Sequence, residues 1–306
     1  MSAPRAVRVD EELIAARNAR RGIVALESSV LAQGLPIPEN AEAARRMTDA
    51  VRAAGAVPAM TAVVRGELAL GLTPDELQRF LRREGVTKVS ARDLGLAIAR
   101  RADGATTVAA SLAIARLAGV PVFATGGIGG VHREPAFDES ADLLELARTP
   151  AIVVCAGAKS ILDLPATLER LETYGVPVVG YRTDELPGFY TASTGLRVPA
   201  RAESALEIVE MARAHWHTAG QSSALLVVQA PPAESALAHA EVDALVHAAV
   251  EDARVRGIRG AALTPHLLAA IATATGGRSM LTNLALLEAN AALAGTIAQA
   301  LADFPT

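Results

Sequence analysis

The sequence predicts an α/β fold built around a largely parallel sheet, and two observations carry that prediction. Short β-branched runs bounded by glycine or proline alternate with helical patterns rich in Ala, Leu and Arg. Such alternation marks parallel strands joined by crossover helices. The phrases Ala53–Pro58, Leu117–Pro121 and Tyr174–Pro177 also share one form: a helix end, a glycine, then a hydrophobic stretch and a proline. Glycine closes a helix in the left-handed conformation, and proline suits the first residues of a strand.

Taken in order, strands are expected at Gly22–Leu31, Val57–Arg65, Thr87–Ser90, Val120–Thr125, Ala151–Ala156, Val176–Tyr181 and Ala224–Gln229. Helices are expected between them at Pro38–Ala54, Thr73–Arg83, Arg92–Ala102, Thr107–Ala118, Ser140–Arg148, Ser160–Tyr174 and Ala202–His217. From Pro232 onward the pattern is mostly helical and ends in Met280–Ala302. Leu186–Pro199 reads as a long irregular loop able to cover a site. No linker or low-complexity segment divides the chain, so residues 1–306 are expected to form one domain.

With 306 residues, 51% of them hydrophobic, the chain can bury a large core. The net charge of −4, from 29 basic and 33 acidic residues, gives no reason to expect nucleic acid or an anionic membrane as partner. Aromatics at 3% argue against a base-stacking surface for single strands. The lone Cys155 excludes an intramolecular disulfide and a cysteine-based zinc site within one subunit. Mean hydropathy is +0.29, much of it alanine. The uncharged stretch Leu117–Val131 holds Pro121 and five glycines, too broken for a spanning helix, and no other stretch is expected to span. Arg5, Arg8 and then Asp10, Glu11 and Glu12 have no apolar run behind them, so no signal peptide is expected and the chain reads as cytoplasmic.

One compositional fact is sharper. Of the 29 basic residues 27 are arginine, and only Lys88 and Lys159 are lysine. A lysine kept in so arginine-rich a chain is a candidate for chemistry that arginine cannot perform, such as nucleophilic attack by a neutral amine. The alternative is that two lysines survived a compositional bias.

Candidate site residues fall where ligands bind in open α/β sheets, beyond the carboxyl ends of strands. Glu27 follows the apolar run Gly22–Leu26, where burial favours a protonated acid, or else a hydrogen-bonded structural carboxylate. Asp103-Gly-Ala-Thr-Thr-Val108 opens a helix whose start, at Thr107 and Val108, suits an anion such as phosphate, with Lys88 as cationic partner. A plain threonine cap is the other reading. Thr125–Arg133 places four glycines in five positions, a loop able to wrap a ligand, but it fits neither the Walker nor the dinucleotide fingerprint. Asp138 and Asp142 could hold a hard cation such as Mg²⁺ or Mn²⁺, although Asp138 reads equally as a helix cap. Lys159 closes the buried run Ile152–Ala158, where loss of solvent favours the neutral amine; the bland reading is a lysine reaching the surface. His215-Trp216-His217 looks like a metal pair but falls at a helix end, where cations suit the dipole.

Six ordered motifs carry a resemblance. Val24-Ala-Leu-Glu-Ser-Ser, Val86-Thr-Lys-Val-Ser, Asp103-Gly-Ala-Thr-Thr-Val, Phe123–Arg133, Phe137-Asp-Glu-Ser-Ala-Asp-Leu and Val154–Asp163 resemble the pseudouridine-5′-phosphate glycosidases, the indigoidine synthase A-like family. The similarity runs from about Leu13 to the C-terminus and includes Leu186-Pro-Gly-Phe-Tyr and Asn283. It implies a three-layer α/β/α fold with one mostly parallel mixed sheet, a homotrimer, and one divalent cation per subunit, usually Mn²⁺. It further implies Lys159 as covalent nucleophile, Glu27 as proton donor, and Lys88 and Val108 as substrate contacts. Ser140, Ala141 and Asp142 would form a substrate-contacting stretch, Asp138 would bind the metal and Asn283 would reach the uracil. Where the family has Asn-Pro after the late strand, this chain has Gln229-Ala-Pro-Pro232, so contacts from that loop do not carry over.

The implied reaction fits those residues. A carbon–carbon glycosidic bond has no heteroatom leaving group, so the two-carboxylate route is poorly suited to it. Addition of an amine at C1′ of an opened ribose, then protonation of the uracil carbon, gives an imine that water hydrolyses to ribose 5-phosphate. Two other readings use the same residues: a class I aldolase-like lyase on another sugar phosphate, and a non-catalytic sugar-phosphate sensor.

Overall fold

The computed structural model describes residues 7–133, 138–258 and 263–304. Phe137 of the fifth motif lies outside the described residues. The seven expected strands are all present, as Ile23–Leu26, Val57–Val64, Val86–Val89, Val122–Ala124, Ile152–Cys155, Val178–Tyr181 and Leu225–Val228; six are shorter than expected and Val86–Val89 lies one residue earlier. They belong to one eleven-stranded sheet. From one edge its order is Arg8–Val9, Glu67–Leu70, Val57–Val64, Ile23–Leu26, Val122–Ala124, Ile152–Cys155, Leu225–Val228, Val178–Tyr181 and Ala200–Ala202. Asp103–Thr106 branches antiparallel from Val57–Val64 and carries Val86–Val89 beyond it, in parallel. The run from Val57–Val64 through Ala200–Ala202 is parallel throughout. Its central strands are buried along their whole length, as expected when helices cover both faces.

The last helix, Arg278–Asp303, packs on Glu39–Ala53 and Ala205–Arg213 and lies against strands Ile23–Leu26, Val122–Ala124 and Ile152–Cys155. Leu286, Leu287 and Ile297 are fully buried there, each contributing about 1.5–3 kcal/mol on removal from water. Helices Val108–Leu117 and Ala141–Arg148 pack on each other as a second group, and helices lie on both sides of the sheet. The result is the three-layer α/β/α arrangement. No spanning stretch was expected, yet Arg278–Asp303 is long and apolar enough by length and composition. Its most apolar window is 56% buried within the protein, as for a core helix.

Four expectations need correction. Asp103–Thr106 is a strand, and the helix behind it starts at Val108. Gly22–Leu31 ends as a strand at Leu26, and Val30–Gly34 is π-helical. The helix expected from Ser160 begins at Leu164, because Leu162–Asp163 pairs with Val131–His132 in a separate two-stranded sheet. The helix expected over Ala202–His217 begins at Ala205, after the edge strand Ala200–Ala202. His215 and Trp216 both hydrogen-bond to Ser223.

Candidate active site

The parallel strands deliver their carboxyl ends to one cavity of about 370 Å³. Glu27 leaves Ile23–Leu26, Thr125 and the glycine run leave Val122–Ala124, and Ala156–Lys159 leaves Ile152–Cys155. Lys88 comes from Val86–Val89, and Thr107 follows Asp103–Thr106. Of these, Glu27, Lys88, Thr107, Gly126, Gly127, Gly129 and Lys159 line the cavity. Val108, Asp138, Ser140, Ala141, Asp142 and Asn283 line it too, so the structure brings every expected site residue together.

The glycine run and the segment before Lys159 are zipped by backbone. Ala156 N donates to Gly126 O at 2.9 Å, Ile128 N to Gly157 O at 3.1 Å, and Lys159 N to Ile128 O at 3.1 Å. Lys159 Nζ then donates to Gly127 O at 2.7 Å. Glu27 is only 5% exposed and accepts a hydrogen bond from Thr125 Oγ1 at 3.1 Å. Burial pushes its carboxyl above the usual range; Lys159 and the Thr125 hydroxyl oppose the shift. The neighbouring Cys155 is no rival nucleophile, since burial pushes its thiol up to about 12.

The glycines serve close approach. A Cβ on Gly129 would stand 2.2 Å from Ser140 Oγ, and one on Gly127 would stand 2.6 Å from Phe189 Cδ2. Asp142, 6% exposed, accepts from Ala109 N at 2.9 Å through Oδ1 and from Gly129 N at 2.8 Å through Oδ2. One carboxylate thus joins the start of helix Val108–Leu117 to the glycine run. Ser140, not Asp138, caps the next helix, accepting from Asp142 N at 3.2 Å. Asp138 precedes the cap and lines the cavity together with His132, which lies close enough to feel its charge. Glu139 is engaged by Arg170 at 2.9 Å. Among the described residues no group of three or more His, Cys, Asp or Glu is arranged to hold a metal.

At the other flank Thr107 caps helix Val108–Leu117, and Lys88 stands exposed beside it with Ser90 and Arg92. A helix start beside a cation is an anion-binding arrangement. Asn283 is 6% exposed, and its Oδ1 is buried without a hydrogen-bond partner. Gln33 Oε1 is likewise unpartnered and lines the cavity, although nothing in the sequence pointed to it. The irregular loop Leu186–Pro199 does cover the site, through Phe189. Thr264 and Leu268, in helix Leu263–Ala274, also line it and carried no sequence signal.

Comparison with known proteins places this arrangement among relatives. The family described as indigoidine synthase A like protein matches residues 12–300. A pseudouridine-5′-phosphate glycosidase of Gemmatimonas aurantiaca is 65% identical over 92% of this chain and 92% of its own length. One of Herpetosiphon aurantiacus is 53% identical over 91% of this chain and 92% of its own. Among solved structures, the prealnumycin C-glycosynthase AlnA in complex with ribulose 5-phosphate superposes with a TM-score of 0.90 at 40% identity, covering 98% of both chains. An indigoidine synthase A-like protein of Thermotoga maritima gives 0.88 at 34% identity, covering 97% of this chain and 96% of that one.

Proposed function

The chain belongs to the indigoidine synthase A-like family, and from that premise we propose that it reversibly cleaves pseudouridine 5′-phosphate to uracil and ribose 5-phosphate. One observation carries the reading: the buried acid Glu27 and the amine of Lys159 line one cavity, in a chain 65% identical to a pseudouridine-5′-phosphate glycosidase.

The residues divide the work as follows. The Lys159 amine bonds to C1′ as the C1′–O4′ bond opens, and O4′ takes up a proton. Glu27 gives a proton to uracil C5, which its burial suits it to hold until needed. The nitrogen lone pair then forms a double bond to C1′ while the C1′–C5 pair returns to the uracil ring. Water adds to the resulting imine, and the amine leaves as ribose 5-phosphate is released. Thr107, Val108 and Lys88 hold the phosphate, with Ser140 and Ala141 beside them, while Asp142 braces the cradle from behind. The unpartnered Asn283 Oδ1 accepts from a uracil N–H.

Asp138 is the protein ligand we assign to a divalent cation, Mn²⁺ for preference and one per subunit. The Asp138 carboxylate on the cavity would hold a hard, largely hydrated ion. When bound, such an ion supplies positive charge to the substrate anion. A homotrimer working in the cytoplasm completes the proposal. The test is uracil release from pseudouridine 5′-phosphate in the presence of Mn²⁺. Release supports the reading, whereas inertness toward this substrate with cleavage of simple aldol substrates would replace it with an aldolase-like lyase.

A further inference from the structure

We propose that Phe189 forms the wall of the nucleobase subsite and selects for a flat leaving group, an inference that rests on the reaction given above. Sheet order sets the argument. Along the parallel strands the carboxyl edge passes Glu27, the glycine run and then Lys159. Asp103–Thr106, running the opposite way, brings Thr107 and the neighbouring Lys88 to the Glu27 end, where Thr106 N donates to Ser28 Oγ at 2.9 Å. That is the sequence phosphate cradle, acid, amine. The loop carrying Phe189 lies further on, between strands Val178–Tyr181 and Ala200–Ala202. A substrate with its phosphate at the first end presents its base at the second.

What stands at that end is held there against local preference. Phe189 has φ +65, a left-handed conformation that a bulky side chain rarely adopts. Such strain persists only where the surroundings over-determine it, and it concentrates at ligand sites. Here Phe189 N donates to Ala156 O at 3.0 Å, three residues before Lys159. Its ring is 3% exposed yet lines the cavity. The ring rests on Gly127, where no Cβ would fit, and the carbonyl of that same glycine receives Lys159 Nζ. Tyr190 braces it edge-on, ring centroids 4.7 Å apart.

Asn283 belongs to this end as well. A Cβ on Gly126 would meet Leu286, Leu287 and Phe189 together, and Asn283 lies one turn before Leu287 on the same helix. The subsite therefore pairs an apolar ring with one unsatisfied, buried carbonyl oxygen. That combination matches a planar heterocycle bearing a ring N–H, and not an open-chain aldol donor.

The experiment uses the full chain with Phe189→Leu and Phe189→Met, which fill the space without a flat face. Loss of a base–aromatic contact should raise the KM for uracil in the synthetic direction by about tenfold or more. Ribose 5-phosphate has no base, so its borohydride-dependent attachment to Lys159 should match wild type. A uracil KM within about twofold of wild type would overturn the proposal. So would loss of ribose 5-phosphate attachment in step with uracil use, or failure of both variants to fold, since either makes Phe189 a support. A wild-type protein that neither releases uracil nor takes the label would instead sink the underlying reaction.

Discussion

Lys159 Nζ donates to the carbonyl of Gly127 at 2.7 Å, so the candidate nucleophile is parked on the glycine run that shapes its own cavity. One N–H is occupied, and a neutral amine in that pose keeps its lone pair for attack. A guanidinium has no such pair to offer. The same contact ties the amine's position to Gly127, Gly129 and Asp142, and hence to the start of helix Val108–Leu117.

Asp142→Ala should therefore destabilise the protein as well as slow it. Two backbone amides, the buried one of Ala109 and the part-buried one of Gly129, would lose a charged acceptor, at a cost of about 3 kcal/mol. Denaturant unfolding reads the cost. Asp142→Asn keeps one acceptor oxygen and should lose less. Wild-type stability in Asp142→Ala would mean the carboxylate does not brace the site.

Glu27→Gln should fold and lose turnover by ~10²–10⁴-fold, the usual worth of positioned acid catalysis. Burial raises the Glu27 carboxyl, so cleavage by wild type should fall as pH rises through that raised value. The stability sign follows the same shift. A group that holds its proton more tightly when folded contributes fully below its unfolded value and loses that contribution as pH rises through the folded one. The melting temperature of Glu27→Gln should thus gain on wild type from acidic toward alkaline pH. A difference independent of pH would show that Glu27 is not held protonated.

Removing the 5′-phosphate from the substrate should cut kcat/KM by ~10²-fold or more, because fixed amides and a cation orient what they bind. Lys88 serves here as charge alone, so Lys88→Arg should keep most activity while Lys88→Ala should raise KM. Equal kcat/KM for pseudouridine and its phosphate would remove the phosphate cradle from the account.

Asp138→Ala should weaken Mn²⁺ binding, read by calorimetry, by roughly 10²-fold, at the upper end of what altered metal-site residues cost. Full activity after exhaustive chelation, checked by elemental analysis, would take the cation out of the reaction.

The sequence made the sheet legible where strands are long or apolar, and less so elsewhere. From sequence, Asp103-Gly-Ala-Thr-Thr-Val108 is expected to open a helix, yet Asp103–Thr106 is a strand. In the fold Gly104 lies under Val89, whose Cγ2 would be 2.4 Å from any Cβ there. Glu67–Leu70 was missed although Arg65 and Gly66, both at positive φ, make a two-residue hairpin turn before it. In the site, Glu27 and Lys159 are legible because each follows an apolar run, and Lys88 because it is one of only two lysines in the chain. Gln33 is not, and Phe189 stands out only as part of Leu186-Pro-Gly-Phe-Tyr. Their importance comes from an unpartnered oxygen and a backbone conformation, and neither is written in residue type or spacing. The role of Asp142 as a brace between two backbones was equally hidden, since its acceptors are used on segments 13 and 33 residues away.

The central claim is that Lys159 forms an imine with the sugar. Ribose 5-phosphate and borohydride should convert that imine to a stable secondary amine, and mass spectrometry should find one sugar phosphate per subunit. Lys88 is the only other lysine in the chain, so peptide mapping has just two places to distinguish. Attachment to Lys159, with Lys159→Arg losing both the label and turnover, is the result the account requires. Attachment to Lys88, or an active Lys159→Arg enzyme, would contradict it.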